Sequence, residues 1–291
     1  MAVVNTNISA SIAQNALAKN DRTLNQAMEQ LSTGSRINSA ADDAAGLAIS
    51  TRMTSQINGL NVAVKNANDG INMISTAEGA LVEVTNMLQR MRELALESSN
   101  GTTDVKDRTY LNKEYQALRD EIQRIAEKTE WNGRTILDNT ADGSSSGGVK
   151  FQIGVDPGTT LEVDFGNFNN DEASGTFYSF RASASAATIA AASTGSAQTI
   201  ATAVVTKIDT ALDAVNLKRA EFGAATNRLT HTIDNLTNVV VNAESTRSQI
   251  TDTDYASATS ELAKSQIIAQ AGTAMLAQAN QMTQTVLALL Q

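Results

Sequence analysis

Paired carboxylates are the first groups in this chain that could do chemistry. Asp42 and Asp43 are adjacent, but adjacent side chains point in different directions and are poorly placed to share a catalytic proton. We interpret them as negative charge at a helix N-terminus. The segment 251–254 (Thr-Asp-Thr-Asp) is rich in oxygen atoms, but it lacks the glycine and the distal glutamate of a calcium-binding loop. We interpret it as a helix cap or a turn.

Other reactive groups are scarce. The sequence has no cysteine and a single histidine, His231, so thiol catalysis, disulfides and multi-histidine metal sites are excluded. It also contains no nucleophile–base pairing, metal-binding cluster or phosphate-binding loop. The sequence therefore predicts a protein that is not an enzyme and that uses no cofactor or metal.

The charge pattern limits the partners. The 291 residues carry 22 Lys and Arg against 31 Asp and Glu, a formal net charge of −9, which argues against nucleic-acid binding. The longest uncharged stretch, Ser265–Gln291, is interrupted by glutamines and an asparagine, so it does not fit a membrane span of about 20 mostly apolar residues. No charged segment followed by an apolar run begins the chain, which predicts secretion without a cleaved signal peptide.

Helical periodicity dominates both halves of the chain. Apolar residues recur every three or four positions in five segments, and in the second they follow a coiled-coil seam. The second and fourth segments have similar periods and are natural partners, either antiparallel or parallel. The predicted helices are about Asn5–Ser32, Ala44–Ser98, Asp104–Thr129, a stripe of nearly 40 residues from Ile200, and about Tyr255–Leu290.

The middle of the chain has a different character. Apolar and polar residues alternate on both sides of Asp156-Pro157-Gly158-Thr159, which suits a type II turn, so we predict a β-hairpin over residues 150–165. Residues 182–198 are rich in Ala, Ser and Thr and predict a flexible or weakly ordered excursion.

The two ends of the chain contain no charged side chains. Met1–Ala18 and Ser265–Gln291 carry none, whereas a helix with a solvent face normally places Lys and Glu there. We infer that neighbouring molecules complete both terminal helices, which indicates assembly. The apolar residues predicted to drive polymerisation are Ile8, Ile12, Leu24, Met28, Leu262, Ile268, Leu276, Met282, Val286 and Leu290.

Several short sequence motifs, arranged in the same order along both ends of the chain, resemble those of bacterial flagellin, the subunit of the flagellar filament. These motifs include Leu31–Gly46, Asn66–Gly70, Leu88–Ala95, Ile250–Ala256 and Gln270–Thr273. The resemblance covers roughly residues 1–140 and 200–291.

This resemblance implies a mainly α fold, in which the N- and C-terminal segments form a long antiparallel helical bundle or coiled coil with a small β-hairpin region in the middle. It places 1–43 with 253–291 in an inner terminal coiled-coil domain. A helical domain with the hairpin then comprises 44–175 and 200–252. Residues 176–199 remain as a short central linker, without the large outer domain that many flagellins insert there.

The resemblance also implies function and partners. The chain is expected to self-assemble into an extracellular filament for motility, after unfolded export through the flagellar type III apparatus with an export chaperone, a cap protein and hook-junction proteins. Arg90, Leu94 and Glu114 match positions recognised by an animal innate immune receptor, although subunit packing is the favoured main role. The hairpin turn Asp156-Pro157-Gly158 is the expected switch between subunit packing states.

Two alternatives stay open at this point. One is a hook–filament junction protein, which shares the terminal helices but is disfavoured by the density of flagellin motifs. The other is a coiled-coil signalling rod, which would need a membrane span or a partner site at its tip.

Overall fold

The computed structural model describes residues 7–138, 148–168, 189 and 194–288. Their fold is mainly α, with two small antiparallel strand pairs, which confirms the predicted fold class. The helices are α1 (Ile8–Thr33), α2 (Ala44–Ser99), α3 (Val105–Lys128), α4 (Thr194–Thr251) and α5 (Tyr255–Ala288), and the strands are β1 (Glu130–Trp131), β2 (Arg134–Thr135), β3 (Gly148–Gln152) and β4 (Thr160–Asp164).

The chain divides into two compact units. The first, which we call the terminal unit, comprises residues 1–57 and 241–291, and the second, the helical–hairpin unit, comprises 58–240. Helices α2 and α4 each contribute residues to both units.

Within the helical–hairpin unit, α2 and α4 are antiparallel. Arg92 pairs with Asp209 and Glu78 pairs with Arg219, each at 2.8 Å, so residue numbers fall along α2 as they rise along α4. Together with α3 and the hairpin, these helices enclose one apolar core. Its fully buried large side chains include Leu81, Leu88, Met91, Leu94, Tyr115, Ile136, Leu137, Phe165, Phe168 and Phe222.

The predicted hairpin is present. Strand β3 pairs with β4 in a register that runs from Gly148 opposite Asp164 to Gln152 opposite Thr160. At the turn, the N–H of Thr159 donates to the Asp156 carbonyl at 3.2 Å, and Gly158 has φ +93°, as the third residue of a type II turn requires. The alternating inward residues of β4 are buried, and Phe165 stacks at 5.4 Å on Phe222 of α4.

The predicted start of the fourth helix was wrong. Helix α4 begins at Thr194 instead of Ile200, so the end of the predicted linker 176–199 is helical. The physical reason is that residues 194–199 (Thr-Gly-Ser-Ala-Gln-Thr) contain no large apolar residue, so apolar periodicity could not place the start of this helix. Within the same predicted linker, Ile189 is buried and held on two sides: its carbonyl accepts from Ser98 Oγ at 2.6 Å and its N–H donates to Asn112 Oδ1 at 3.2 Å. The remainder of 176–199 lies outside the described residues.

Candidate assembly site

The terminal unit is built on the antiparallel pair of α1 and α5, and the most deeply buried residues of the pair are small or polar. The buried positions of the two helices, among the side chains described, are Asn20, Ala27, Ala258 and Ser265. A Cβ placed on Gly272 would lie 3.0 Å from Cγ of Leu17, so the absent side chain is what lets the helices approach. The fully buried positions of the pair therefore contribute little apolar surface, while the larger leucines of the pair are half-buried.

Two asparagine amides cross this contact. Asn20 Nδ2 donates to the Ser265 carbonyl at 2.8 Å in a buried setting. Asn7 caps α1 by accepting from the N–H of Ala10 at 3.0 Å, and its Nδ2 donates to the Ala279 carbonyl at 3.1 Å. Both amides satisfy polar groups that burial would otherwise penalise, and together they mark an antiparallel register.

The segments that join these helices to α2 and α4 also pair with each other. Ser35 and Asp252 form an antiparallel bridge, and the N–H of Thr253 donates to the Gly34 carbonyl at 3.0 Å. The Arg36 side chain donates to the Ile250 carbonyl at 2.6 Å, and its N–H donates to the Thr251 carbonyl at 2.6 Å. Arg36 thus satisfies carbonyls that the C-terminus of α4 leaves unpaired, and its positive charge suits the helix dipole there.

The carboxylates singled out in the sequence serve backbone capping. Asp43 Oδ1 accepts from the N–H of Gly46 at 2.9 Å, at the start of α2. Asp42 accepts from the N–H groups of Ser39 at 2.9 Å and Asn38 at 3.1 Å, and these hydrogen bonds hold the pKa of Asp42 below its usual value. Asp43 thus caps α2 as predicted, whereas Asp42 stabilises the turn before that helix.

The segment 251–254 likewise acts as a cap. Asp254 Oδ1 accepts from the N–H of Ala256 at 3.0 Å at the start of α5, and Asp252 accepts from the hydroxyls of Ser248 and Thr251. His231 is exposed on α4. In the part of the chain that the structure describes, no group of three or more His, Asp or Glu side chains is placed to hold a metal ion.

The predicted polymerisation residues divide between exposed and half-buried positions. Ile8, Ile12, Met28 and Ile268 are exposed to between 44% and 64%, while Leu24, Leu262 and Leu276 are half-buried. Ile12 and Ile268, with Leu17, Gly272 and Met275, line an apolar groove of about 300 Å³. The side chains of Met282 and Val286, and all of Leu290, lie outside the described part of the chain.

The three residues matched to the receptor site divide between surface and core. Arg90 Nε donates to Glu114 Oε1 at 2.9 Å, and Arg90 Nη1 donates to Glu93 Oε2 at 3.0 Å. These hydrogen bonds, the one that Arg90 donates to Glu114 foremost, raise the pKa of Arg90. Arg90 and Glu114 are about half exposed, whereas Leu94 is fully buried in the core. The residues Asp156, Pro157 and Gly158 of the predicted switch lie exposed at the hairpin tip.

Sequence reasoning missed the contacts that align the terminal helices. Asn20, Arg36 and Gly272 were not singled out, because none of them belongs to an apolar stripe. A polar residue among uncharged neighbours, such as Asn20, and a glycine inside a helical pattern, such as Gly272, are the signals that could have identified two of them.

A pair of terminal helices that contact each other through small residues and present apolar residues outward defines a self-assembling helical subunit. Residues 4–142 match the family model of the bacterial flagellin N-terminal helical region, and residues 205–290 match that of the C-terminal helical region. The chain belongs to the flagellin family, and it is a structural subunit of the bacterial flagellar filament, not an enzyme.

Relatives span almost the whole chain. Flagellin A of Vibrio cholerae is 37% identical over 99% of both chains, and flagellin of Halalkalibacterium halodurans is 42% identical over 99% of this chain and 100% of the relative. One similar solved structure, from Vibrio parahaemolyticus, is named as a putative flagellar hook-associated protein. It has a TM-score of 0.57 at 16% identity, and the alignment covers 72% of this chain and 100% of that one. The two proteins share the fold. Among the described helices, none is long and apolar enough to cross a membrane.

Proposed function

We propose that α1 and α5 are the polymerisation element of this flagellin and that neighbouring subunits cover their apolar exterior. The observation that carries this proposal is the exposure of Ile8, Ile12, Met28 and Ile268 on helices without charge at their outer ends. An exposed apolar surface of this kind is unfavourable in water and marks an interaction site. In this proposal residues 1–43 and 253–291 form the terminal coiled-coil domain, 44–175 and 194–252 form the helical domain with the hairpin, and 176–193 is the linker.

Folding of the terminal pair is coupled to assembly in this proposal. The α1–α5 contact buries mainly small residues, and a helix pair with so little apolar burial is marginal alone. The test compares sedimentation of the full-length chain with that of a chain ending at Glu261, after salt- or seed-induced assembly. Pelleting of the full-length chain alone supports the proposal, and equal pelleting of both overturns it.

Point variants sharpen this test. Ile12→Ser removes an apolar side chain that is 64% exposed on α1, and Leu217→Ser removes one that is 61% exposed on α4, outside the terminal unit. We expect Ile12→Ser to raise the concentration needed for assembly while its monomer stays as stable as the parent, because exposed substitutions change folding stability by only about 0.5 kcal/mol or less. If Leu217→Ser impairs assembly more than Ile12→Ser does, the terminal pair is not the principal element.

We infer that the chain reaches the filament by unfolded export through the flagellar type III apparatus, with a chaperone on its C-terminal segment and a cap protein at the filament tip. The absence of cysteine and the single proline, Pro157, suit a chain that must refold without disulfide or prolyl delays. Culture medium from cells with and without the export apparatus tests this route. Extracellular protein in both cultures would contradict it.

Recognition of the monomer by an animal innate immune receptor is a second proposal. Arg90 and Glu114 would supply the contacts, while Leu94 supports the helix from the core. The ion pair is exposed to solvent and contributes little to stability, so Arg90→Ala should weaken receptor binding without unfolding the monomer. Arg124→Ala is the matched control, because Arg124 is an exposed, ion-paired arginine on α3. Equal binding by both variants and the parent would contradict the proposal.

We also propose that the hairpin turn is the element that switches the subunit between packing states. A Cβ at Gly158 would meet no heavy atom within 4 Å, so Gly158→Ala adds only backbone strain, about 1–2 kcal/mol. Filaments of this variant, imaged over a range of pH and salt, should differ from the parent in supercoil shape. Identical shapes under all conditions would contradict this role.

A further inference from the structure

We propose that Gly272 and Leu17 form a register notch that fixes how α1 and α5 align, and that this alignment determines assembly. The side chain of Leu17 occupies the gap that the missing side chain of Gly272 leaves: a Cβ there would lie 3.0 Å from Leu17 Cγ and 3.3 Å from Leu17 Cδ2. The inference rests on the proposed role of the terminal pair as polymerisation element.

Apart from the Ser35–Asp252 bridge at one end of the pair, the rest of the contact discriminates weakly between registers. Its buried residues include two alanines and a serine, and small side chains of similar size can exchange places with little loss of packing. The hydrogen bond from Asn20 to the Ser265 carbonyl favours the observed register, but a helix offers another carbonyl one turn away. The packing of Leu17 against the gap at Gly272 is therefore the feature that is lost if one helix slips along the other.

A slip of one helical turn would replace the gap with a side chain in either direction. Position 272 would be exchanged for Ile268 or Leu276 opposite Leu17, and both of those residues are bulky. Such a slip moves the helices by about 5.4 Å relative to each other. Leu17 would then meet a branched side chain at a place where even a methyl group crowds it.

The register matters because it determines which side chains of α1 and α5 lie side by side on the outer surface of the pair. Ile12 and Ala16 of α1 share the apolar groove with Ile268 and Met275 of α5, and the notch lies in the same groove. A slipped pair would separate these side chains and present neighbouring subunits with a different surface. Gly272 and Leu17 are thus positioning residues for self-assembly.

Disulfide crosslinking between two introduced cysteines measures the register directly, because the chain has no native cysteine that could form competing disulfides. Ala27 and Ala258 are both buried and lie along the same antiparallel alignment as Asn20 and Ser265, so Ala27→Cys with Ala258→Cys reports the observed register. Ala27→Cys with Leu262→Cys reports a one-turn slip. Both pairs are introduced into the full-length chain, oxidised after seeded assembly and quantified on denaturing gels.

The test variant is Gly272→Leu, and the matched control is Ala271→Leu, which adds an apolar side chain at an adjacent exposed position. We expect the observed-register crosslink to fall at least tenfold in Gly272→Leu and to be unchanged in Ala271→Leu. An unchanged crosslink in assembled Gly272→Leu overturns the proposal. The crosslink ratio is independent of whether the chain ending at Glu261 assembles, so the two proposals fail separately.

A second variant covers the case in which Gly272→Leu does not assemble. Adding Leu17→Ala removes the side chain that the new leucine would strike, so the double variant should recover assembly and the observed-register crosslink. Failure of the double variant to recover either one overturns the notch, because loss of assembly would then have another origin.

Discussion

Substitution of Gly34 by alanine tests the connection between the two terminal helices. Gly34 ends α1 with φ +71°; its N–H donates to the Gln30 carbonyl at 2.9 Å and its carbonyl accepts from the N–H of Thr253. A Cβ here would lie 3.0 Å from the hydroxyl of Tyr255. The substitution therefore brings two penalties, one from the left-handed backbone and one from the tyrosine.

The backbone penalty is the larger of the two. An L-residue in the left-handed region costs about 1–2 kcal/mol. The tyrosine contact is cheaper to relieve, because Tyr255 is 57% exposed and its ring can move outward. If folding of the terminal unit is coupled to assembly, a loss of about 1–2 kcal/mol raises the critical concentration for polymerisation roughly 5- to 30-fold.

A comparison of Gly34→Ala with Gly34→Asn separates the two causes. Asparagine is larger than alanine but adopts the left-handed region more readily, so it should raise the critical concentration less than alanine does if the backbone dominates. The assay is sedimentation over a series of protein concentrations, with the supernatant giving the critical concentration. A greater loss with asparagine than with alanine, or no change with either, would refute the reasoning.

Three further predictions concern the helical–hairpin unit. Phe222→Ala should lower the free energy of unfolding by about 3–5 kcal/mol in a denaturant titration, because the ring is buried against the hairpin, whereas Leu217→Ala on the same helix should change it by about 0.5 kcal/mol or less. Ile189→Ala should cost about 2–5 kcal/mol in the same assay if this buried side chain is as firmly held as its hydrogen bonds indicate, and a value near zero would contradict that. Partial burial alone would raise the pKa of Asp164, but the hydrogen bond that it accepts from Lys218 Nζ at 2.7 Å lowers the pKa below 3.8. This interaction therefore stabilises the fold above pH 3.8, and the stabilisation is lost as pH falls through the folded-state pKa. Thermal unfolding of Asp164→Asn should accordingly depend less on pH in that range than unfolding of the parent does.

The long helices were predictable because their apolar residues recur over many turns. Helix α2 was predicted as Ala44–Ser98 and ends at Ser99, and Asn100-Gly101 provides the expected stop. The direction of its partner could not be derived from period alone, since a seam of identical spacing packs in either sense. Cross-helix ion pairs such as Arg92 with Asp209 reveal the antiparallel arrangement only in three dimensions.

The predictions missed features that carry no apolar pattern. The short strand pair β1–β2 turns at Asn132-Gly133, a sequence typical of two-residue hairpin turns, yet strands of two residues are too short for alternation to be read. Ile189 lies in a stretch of low complexity, where a single large apolar residue among Ala, Ser and Thr was the available signal. Composition alone therefore gave no indication that Ile189 is buried.

The terminal unit departs from the usual arrangement of an amphipathic helix pair, because its fully buried positions are small or polar. In a stable monomer the large apolar residues face the partner helix and the polar ones face water. Here Asn20, Ser265 and Gly272 lie at the contact, and Ile12 and Ile268 are exposed. In our proposal, hydrogen bonds and close backbone approach select the register of the two helices, and other copies of the chain supply the apolar contacts that stabilise the pair. A pair of this kind would be accurate in register but weak in isolation, so the ends of the subunit would fold only in the lattice that it builds.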